Sequence, residues 1–211
     1  MGLRERRIRE KENRRHAILN AARRLFFERG FRPVTVDSIA KKAELSKGSI
    51  YLHFDSKEEI YAQILLLDIE QFHANTAKVI EQGGRASDML LKLADVYVDF
   101  FLNDKELFRI LMTFMVRLDR MNLSEEVGEH LIRTTNKSIA VIEEILQHGV
   151  SSGEYPADLN IRNTRNAIWG LFNGIISLYF FAGREAKREE RIRSTVRTSL
   201  EILIKGLRSR E

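Results

Sequence analysis

The chain has 211 residues, of which 35 are Lys or Arg and 30 Asp or Glu, with no cysteine, two prolines and 44% hydrophobic content. Without cysteine there is neither a disulfide framework nor a thiolate metal site, and this much apolar content with charges of both signs excludes a disordered tail. At about 150 residues per domain the length predicts one compact unit or a small head on a larger body, and the charge divides unevenly, with net +8 in residues 1–57 and net −3 in residues 58–211.

Apolar residues recur at the 3.6-residue period along most of the chain and no run alternates at period two, so an all-α fold is expected. The first helix is predicted over about Arg9–Glu28, with Ile18, Ala21, Ala22, Leu25 and Phe26 on one face and Gly30 as its stop. After the connector Phe31-Arg32-Pro33, Thr35 caps a short helix carrying Val36, Ile39, Ala40 and Ala43. Ser46 then caps a second short helix carrying Ile50 and Tyr51. Ser56-Lys57-Glu58-Glu59 has the spacing of a capping box and opens a long helix through Ile60, Ile64 and Leu67, ended by Gly83-Gly84. Further helices are expected at 87–102, 104–118 and 124–150, the last two capped by Asp104 and Ser124. After the loop 151–156 two more follow, at 160–182 and 186–207.

No stretch reaches the roughly 18 consecutive apolar residues of a membrane span, because Gly170, Asn173, Gly174 and Ser177 interrupt the best candidate, Ala167–Phe181. The N-terminal segment, Met-Gly-Leu followed by Arg and Glu, lacks the apolar core of a secretory signal. A cytoplasmic protein with no membrane partner is the expectation.

The cationic quarter points to a polyanion, nucleic acid before an anionic lipid surface. Two short helices joined by a three-to-four-residue turn inside it have the pattern of a helix-turn-helix. Val36 and Ile39 supply the apolar side of the first helix, Ala40 allows a close crossing, and Leu45 plugs the turn. The second helix opens Ser46-Lys47-Gly48-Ser49, short polar and cationic side chains where bases are met, with Gly48 removing a side chain from the path of DNA. Ile50 and Phe54 form its buried side. Tyr51 is either a half-buried core ring or a phosphate contact, and His53 either a surface histidine or a phosphate contact. Lys57 lies in the first turn of the next helix, where backbone amides already favour a phosphate. Arg4, Arg6, Arg7, Arg9, Arg14 and Arg15, interleaved with Glu5, Glu10 and Glu12, are either a solvated helix face or a phosphate-binding arm.

The run from Thr35 to Ile60, with Ile18–Phe26 and Gly30-Phe31 upstream, closely resembles the DNA-binding signature of TetR-family regulators over about residues 14–65. The resemblance implies a helix-turn-helix DNA-binding domain at 1–57 and a ligand-binding and dimerisation domain at 58–211. It implies a homodimer that represses nearby genes and leaves DNA when a small molecule enters the C-terminal bundle. Phosphate and base contacts carry over to Thr35, Ser46, Lys47, Gly48, Ser49, Tyr51, His53 and Lys57. Glu44 departs from the pattern, since many members have glycine in the turn; a left-handed residue there costs about 1–2 kcal/mol.

Across the chain His16, His53, His73, His130 and His148 lie far apart in sequence, with no metal-ligand or nucleophile spacing, so neither an enzyme nor a cofactor or metal protein is expected. Phe100, Phe101, Phe108, Met112, Phe114, Met115 and Met121 form an aromatic, Met-rich stretch that reads as core packing or as a pocket for an apolar or aromatic ligand. The family resemblance implies a cavity between these helices, with Phe101, Phe108, Met112 and Met115 as lining and Tyr97, Arg109, Asn136 and Asn173 as candidate polar contacts. The helix at 160–182 is apolar nearly all round, which calls for a second subunit to cover it, with Gly170 and Gly174 permitting close helix approach. The function expected is therefore a dimeric repressor released from a palindromic operator by a small effector. An effector-independent DNA-binding protein of chromosome organisation or division is the alternative.

Overall fold

The computed structural model describes residues 2–103, 124–181 and 188–207. Among these residues there are eight helices and no strand: α1 (Leu3–Arg29), α2 (Val36–Lys42), α3 (Lys47–Tyr51), α4 (Lys57–Gln82), α5 (Ala86–Asn103), α6 (Glu125–Ser151), α7 (Ile161–Phe181) and α8 (Arg188–Leu207). The helix expected at 104–118, with Asp104 as its cap, lies outside the described residues. Two compact units emerge, one of residues 2–68 and 124–132, the other of residues 69–103, 133–181 and 188–207. No helix of the described residues is long and apolar enough to cross a membrane.

The first unit is built on α1, which starts six residues earlier than its apolar spacing predicts. Arg, Lys and Glu are strong helix formers that need no buried face. Here the Gly2 amide donates to the Glu5 carboxylate at 3.0 Å, and Arg6 pairs with Glu10 one turn on at 3.1 Å. Gly30, at φ 75, stops the helix and donates its N–H to the Phe26 carbonyl. Ile18, Ala22, Leu25 and Phe26 are buried together with Ile39 and Ala40 of α2, Ile50 of α3, Phe54, and Ile60, Tyr61 and Leu65 of α4. A ring triangle of Phe26, Phe31 and Tyr61, with centroids 4.9–5.5 Å apart, fixes the connector between α1 and α2. Polar ties from α1 to α4 flank it, Arg15 donating to Gln63 at 2.6 Å and Arg23 pairing with Asp68.

In the second unit α5 packs on α7 and α8, and α7 on α8. Leu90, Leu93, Tyr97 and Phe101 of α5, Ile168, Phe172 and Ile176 of α7, and Ile192, Val196 and Leu200 of α8 are all buried at helical spacing. The first amides of α5 are answered from far away in sequence: those of Ala86 and Ser87 donate to the Glu154 carboxylate at 2.7 and 3.2 Å, with Arg85 at 3.5 Å. Burial opposes the charge of Glu154, but hydrogen bonds from Ser87 and Ala86 and the charge of Arg85 outweigh it and hold its carboxyl below the usual glutamate value. A carboxyl held down in the folded state stabilises above its ordinary pKa and loses that contribution as pH falls through the lowered one. Glu154→Ala is accordingly expected to cost about 1–2 kcal/mol at pH 7, with the gap to wild type closing towards pH 3. Urea unfolding at the two pH values measures it.

Candidate functional site

The position of α3 is set by three local devices. Thr35 and Ser38 cap α2 reciprocally, each hydroxyl accepting the other's backbone N–H at 3.0–3.1 Å. The helix then ends in a Schellman turn: Leu45 N–H donates to Ala40 O at 2.9 Å and Glu44 N–H to Lys41 O at 3.3 Å. That turn needs a left-handed residue, and Glu44, at φ 57, is the one described non-glycine residue with positive φ. Exposed and without a glycine's freedom, it strains the turn; Glu44→Gly is expected to stabilise the protein by about 1 kcal/mol, read from the urea midpoint at unchanged m-value. Ser46 next caps α3, its hydroxyl accepting the Ser49 N–H at 3.2 Å and lying 2.8 Å from the Ser49 hydroxyl.

Around these devices lie the sequence-predicted residues, all of them in the first unit. Thr35, Ser46, Lys47 and Gly48 are exposed, and Ser49 is half-buried behind them. Tyr51 is 48% exposed, so it is not a core ring, whereas Ile50 of α3 and Phe54 just beyond it are buried. Lys47 reaches Asp37 of α2 at 2.8 Å in an exposed pair, whose hydrogen bond and charge raise its pKa. Exposed pairs are weak, so releasing Lys47 from Asp37 costs little. The ten-residue separation carries no local signal, and sequence reasoning missed the pair. His53 is half-buried, with no hydrogen-bond partner for Nδ1 among the described residues. Burial first, then the nearby Lys11, Arg14 and Arg15, lower its pKa and keep the ring neutral near pH 7.

Lys57 departs from a simple phosphate anchor. Its ammonium donates to the Phe31 carbonyl at 3.1 Å and sits 4.2 Å from the Phe31 ring centroid, tying the α1–α2 connector to the start of α4. At the start of α4 the capping box takes a shifted form: Ser56 accepts the Glu59 N–H at 3.0 Å, and the Glu59 carboxylate accepts the Asp55 N–H.

The second unit gathers its rings around Tyr97, whose centroid lies 4.6 Å from Phe101, 5.0 Å from Phe172, 5.3 Å from Trp169 and 5.7 Å from Phe72. Inside this apolar cluster the Tyr97 hydroxyl donates to Asn173 Oδ1 at 2.8 Å, and Asn173 donates in turn to the Trp169 carbonyl. Burial pushes the Tyr97 hydroxyl well above its ordinary pKa. Phe101 and Asn173 are thus brought together, while Asn136 is exposed on α6. Phe108, Arg109, Met112 and Met115 lie outside the described residues. Gly170 and Gly174 do not serve a close helix approach among the described residues: a side chain added at either meets nothing of them within 4 Å. Both are exposed on α7, on the same element as Leu178, which is 69% exposed.

Comparison with known proteins agrees with this architecture. The model of bacterial regulatory proteins of the tetR family matches residues 18–64, and that of the YsiA-like protein C-terminal region matches residues 68–206. The fatty acid metabolism regulator protein of Bacillus subtilis (strain 168) is 25% identical over 172 residues, covering 82% of this chain and 86% of its own. Among solved structures, FadR from Bacillus subtilis in complex with stearoyl-CoA superposes with a TM-score of 0.71 at 22% identity, over 91% of this chain and 98% of that one. The TetR family regulator PfmR from Thermus thermophilus gives 0.69 at 24% identity, over 91% and 99%. With both its head and its body matched, the chain belongs to the TetR family and is a helix-turn-helix DNA-binding transcriptional regulator.

Proposed function

We propose that this regulator is a homodimeric repressor, with residues 1–57 as the DNA-binding head and 58–211 as the effector and dimerisation body, and that a long-chain acyl thioester releases it from a near-palindromic operator. The observation that carries the DNA half is the exposed opening of α3, Ser46-Lys47-Gly48-Ser49, in a quarter of the chain with net +8. Thr35, Tyr51, His53 and Lys57 bind phosphates, while Lys47 and Ser49 read base edges. Two such heads about 34 Å apart meet successive major grooves. Support for the effector class comes from the relative solved with stearoyl-CoA and from the apolar ring cluster of Phe101, Tyr97 and Phe172, chemistry suited to an alkyl chain. Asn173 orients the ligand's polar end, with Phe108, Met112 and Met115 as further lining; Asn136, exposed on α6, is left out of the site. The bare face of Gly170, Gly174 and Leu178 on α7 supports pairing with a second copy.

Lys57→Ala separates the two uses of that ammonium. Losing a phosphate contact should weaken binding to all sequences alike and flatten the salt dependence by about one unit of slope. Losing the Phe31 carbonyl's donor should lower stability by about 1 kcal/mol. A stability drop with an unmoved slope would assign Lys57 to the connector alone.

The test of the whole reading is selection of bound genomic fragments at about 150 mM salt, followed by titration of stearoyl-CoA, stearate and coenzyme A against the complex. One or a few near-palindromic sites, released by the thioester and not by coenzyme A, are expected. Many scattered sites indifferent to all three compounds would replace it with an effector-independent architectural role.

A further inference from the structure

The apolar stripe of α1 does not stop where the core stops; it changes chemistry. Residues 18, 21, 22 and 25 are buried in the first unit. Continued towards the N-terminus at spacings of three and four, the same line runs through Arg14 and Arg15, then Lys11, Arg7 and Arg4. The acids of this segment avoid that line: Glu5, Glu10 and Glu12 each fall about a quarter turn or more from its centre. Arg4, Arg7, Lys11 and Arg14 are exposed, and no ion pair within the described residues engages them, whereas off-stripe Arg6 is paired with Glu10 at 3.1 Å. A helix face that continues a buried stripe yet carries five cations is not a solvated face of mixed sign.

Its position also bears on the partner. The Arg15 guanidinium lies 5.5 Å from the centroid of Phe54, the ring that ends the recognition segment. Lys11, Arg14 and Arg15 are close enough to His53 to depress its titration. The cationic stripe is therefore continuous with the surface that holds Tyr51 and His53. From Arg4 to Arg15 the helix rises about 16 Å, a length over which one strand of B-DNA presents about five phosphates.

We propose that the N-terminal half of α1 is a second DNA-backbone surface, in which Arg4, Arg7, Lys11 and Arg14, continued by Arg15, bind phosphates flanking the base contacts of α3. The proposal rests on the DNA-binding reading and extends it by a helical clamp that adds affinity without sequence choice.

The test is the salt dependence of full-length protein on a scrambled duplex of about 40 base pairs, followed by fluorescence anisotropy. Three variants are compared with wild type. Arg4→Gln with Arg7→Gln and Lys11→Gln removes the stripe; Arg6→Gln with Arg9→Gln and Arg24→Gln removes equal charge elsewhere on α1. Ile8→Lys adds a cation at the edge of the stripe, beside Arg4 and Lys11 on the helix, at a site already 57% exposed, with no core residue disturbed. At about 0.9 of slope per phosphate, the first should flatten the plot by two to three units, the second by less than about one, and the third should steepen it by about one. Equal shifts from the first two variants, or no response to Ile8→Lys, would overturn the stripe alone. Wild type that fails to bind the duplex would overturn the DNA reading and the stripe with it. Capture of the wild type, but not the stripe variant, by phosphatidylglycerol vesicles, with the DNA slope unmoved, would reassign the stripe to a lipid surface.

Discussion

Gly48→Glu is expected to abolish operator binding while the protein folds as before. Among the described residues a side chain added at Gly48 meets only the Ser46 hydroxyl, at 3.9 Å, so none of them requires glycine there. The residue is exposed in the first turn of α3, between Lys47 and Ser49. In the proposed DNA complex a carboxylate at that position stands close to the phosphate backbone, and like charges brought together in an interface cost several kcal/mol, which is on the order of a hundredfold or more in affinity. Gly48→Ala sharpens the argument, because helix propensity should raise stability by up to about 1 kcal/mol while the added methyl still holds DNA off. Thermal unfolding and anisotropy on the selected operator then move in opposite directions. If Gly48→Glu bound the operator normally, α3 would not be the reading helix.

The second large effect lies in the body and inverts the usual rule for glycine in a helix. Gly149, near the end of α6, would with a methyl group come within 2.2 and 2.4 Å of two ring carbons of Tyr155 and 2.8 Å of Ala86 Cβ. Tyr155 is 1% exposed and Ala86 fully buried, so neither has space to retreat. The chain also closes on itself here, Tyr155 N–H donating to the Gly149 carbonyl at 3.0 Å. Gly149→Ala is expected to destabilise by about 2–4 kcal/mol despite its better helix propensity. In a Tyr155→Ala background the two closest contacts are gone and only Ala86 Cβ, at 2.8 Å, remains, so the same change should cost clearly less, a coupling that a double-mutant cycle measures. Additive losses in the two backgrounds would show that the ring is not the obstacle.

How much of this was written in the sequence depends on the range of the interaction. The caps Thr35 and Ser46, the stop at Gly30 and the Gly83-Gly84 break lie within four residues of what they satisfy, and each stands where its residue type predicts. The strained Glu44 was equally legible, because only a turn that wants glycine makes a glutamate conspicuous. The start of α1 was not, since periodicity marks burial and the first four turns bury little. Glu154, answering amides 68 residues away, and the Gly149–Tyr155 contact are tertiary facts with no local trace. In the site, the identities of the α3 residues were readable from their order. Their couplings were not: Lys47 to Asp37, Lys57 to the Phe31 carbonyl and Arg15 to Phe54 each depend on how three helices cross.

Leu178 on α7 and Ile202 on α8 are 69% and 67% exposed, and α7 and α8 pack side by side. A second copy that covers them makes the DNA-competent species a product of two concentrations. While pairing is far from saturated, halving the number of chains in the cell lowers that species about fourfold. The steepness with which target genes respond to the regulator's own dosage is then tuned on α7 and α8, and can drift in evolution without altering which sequence α3 selects.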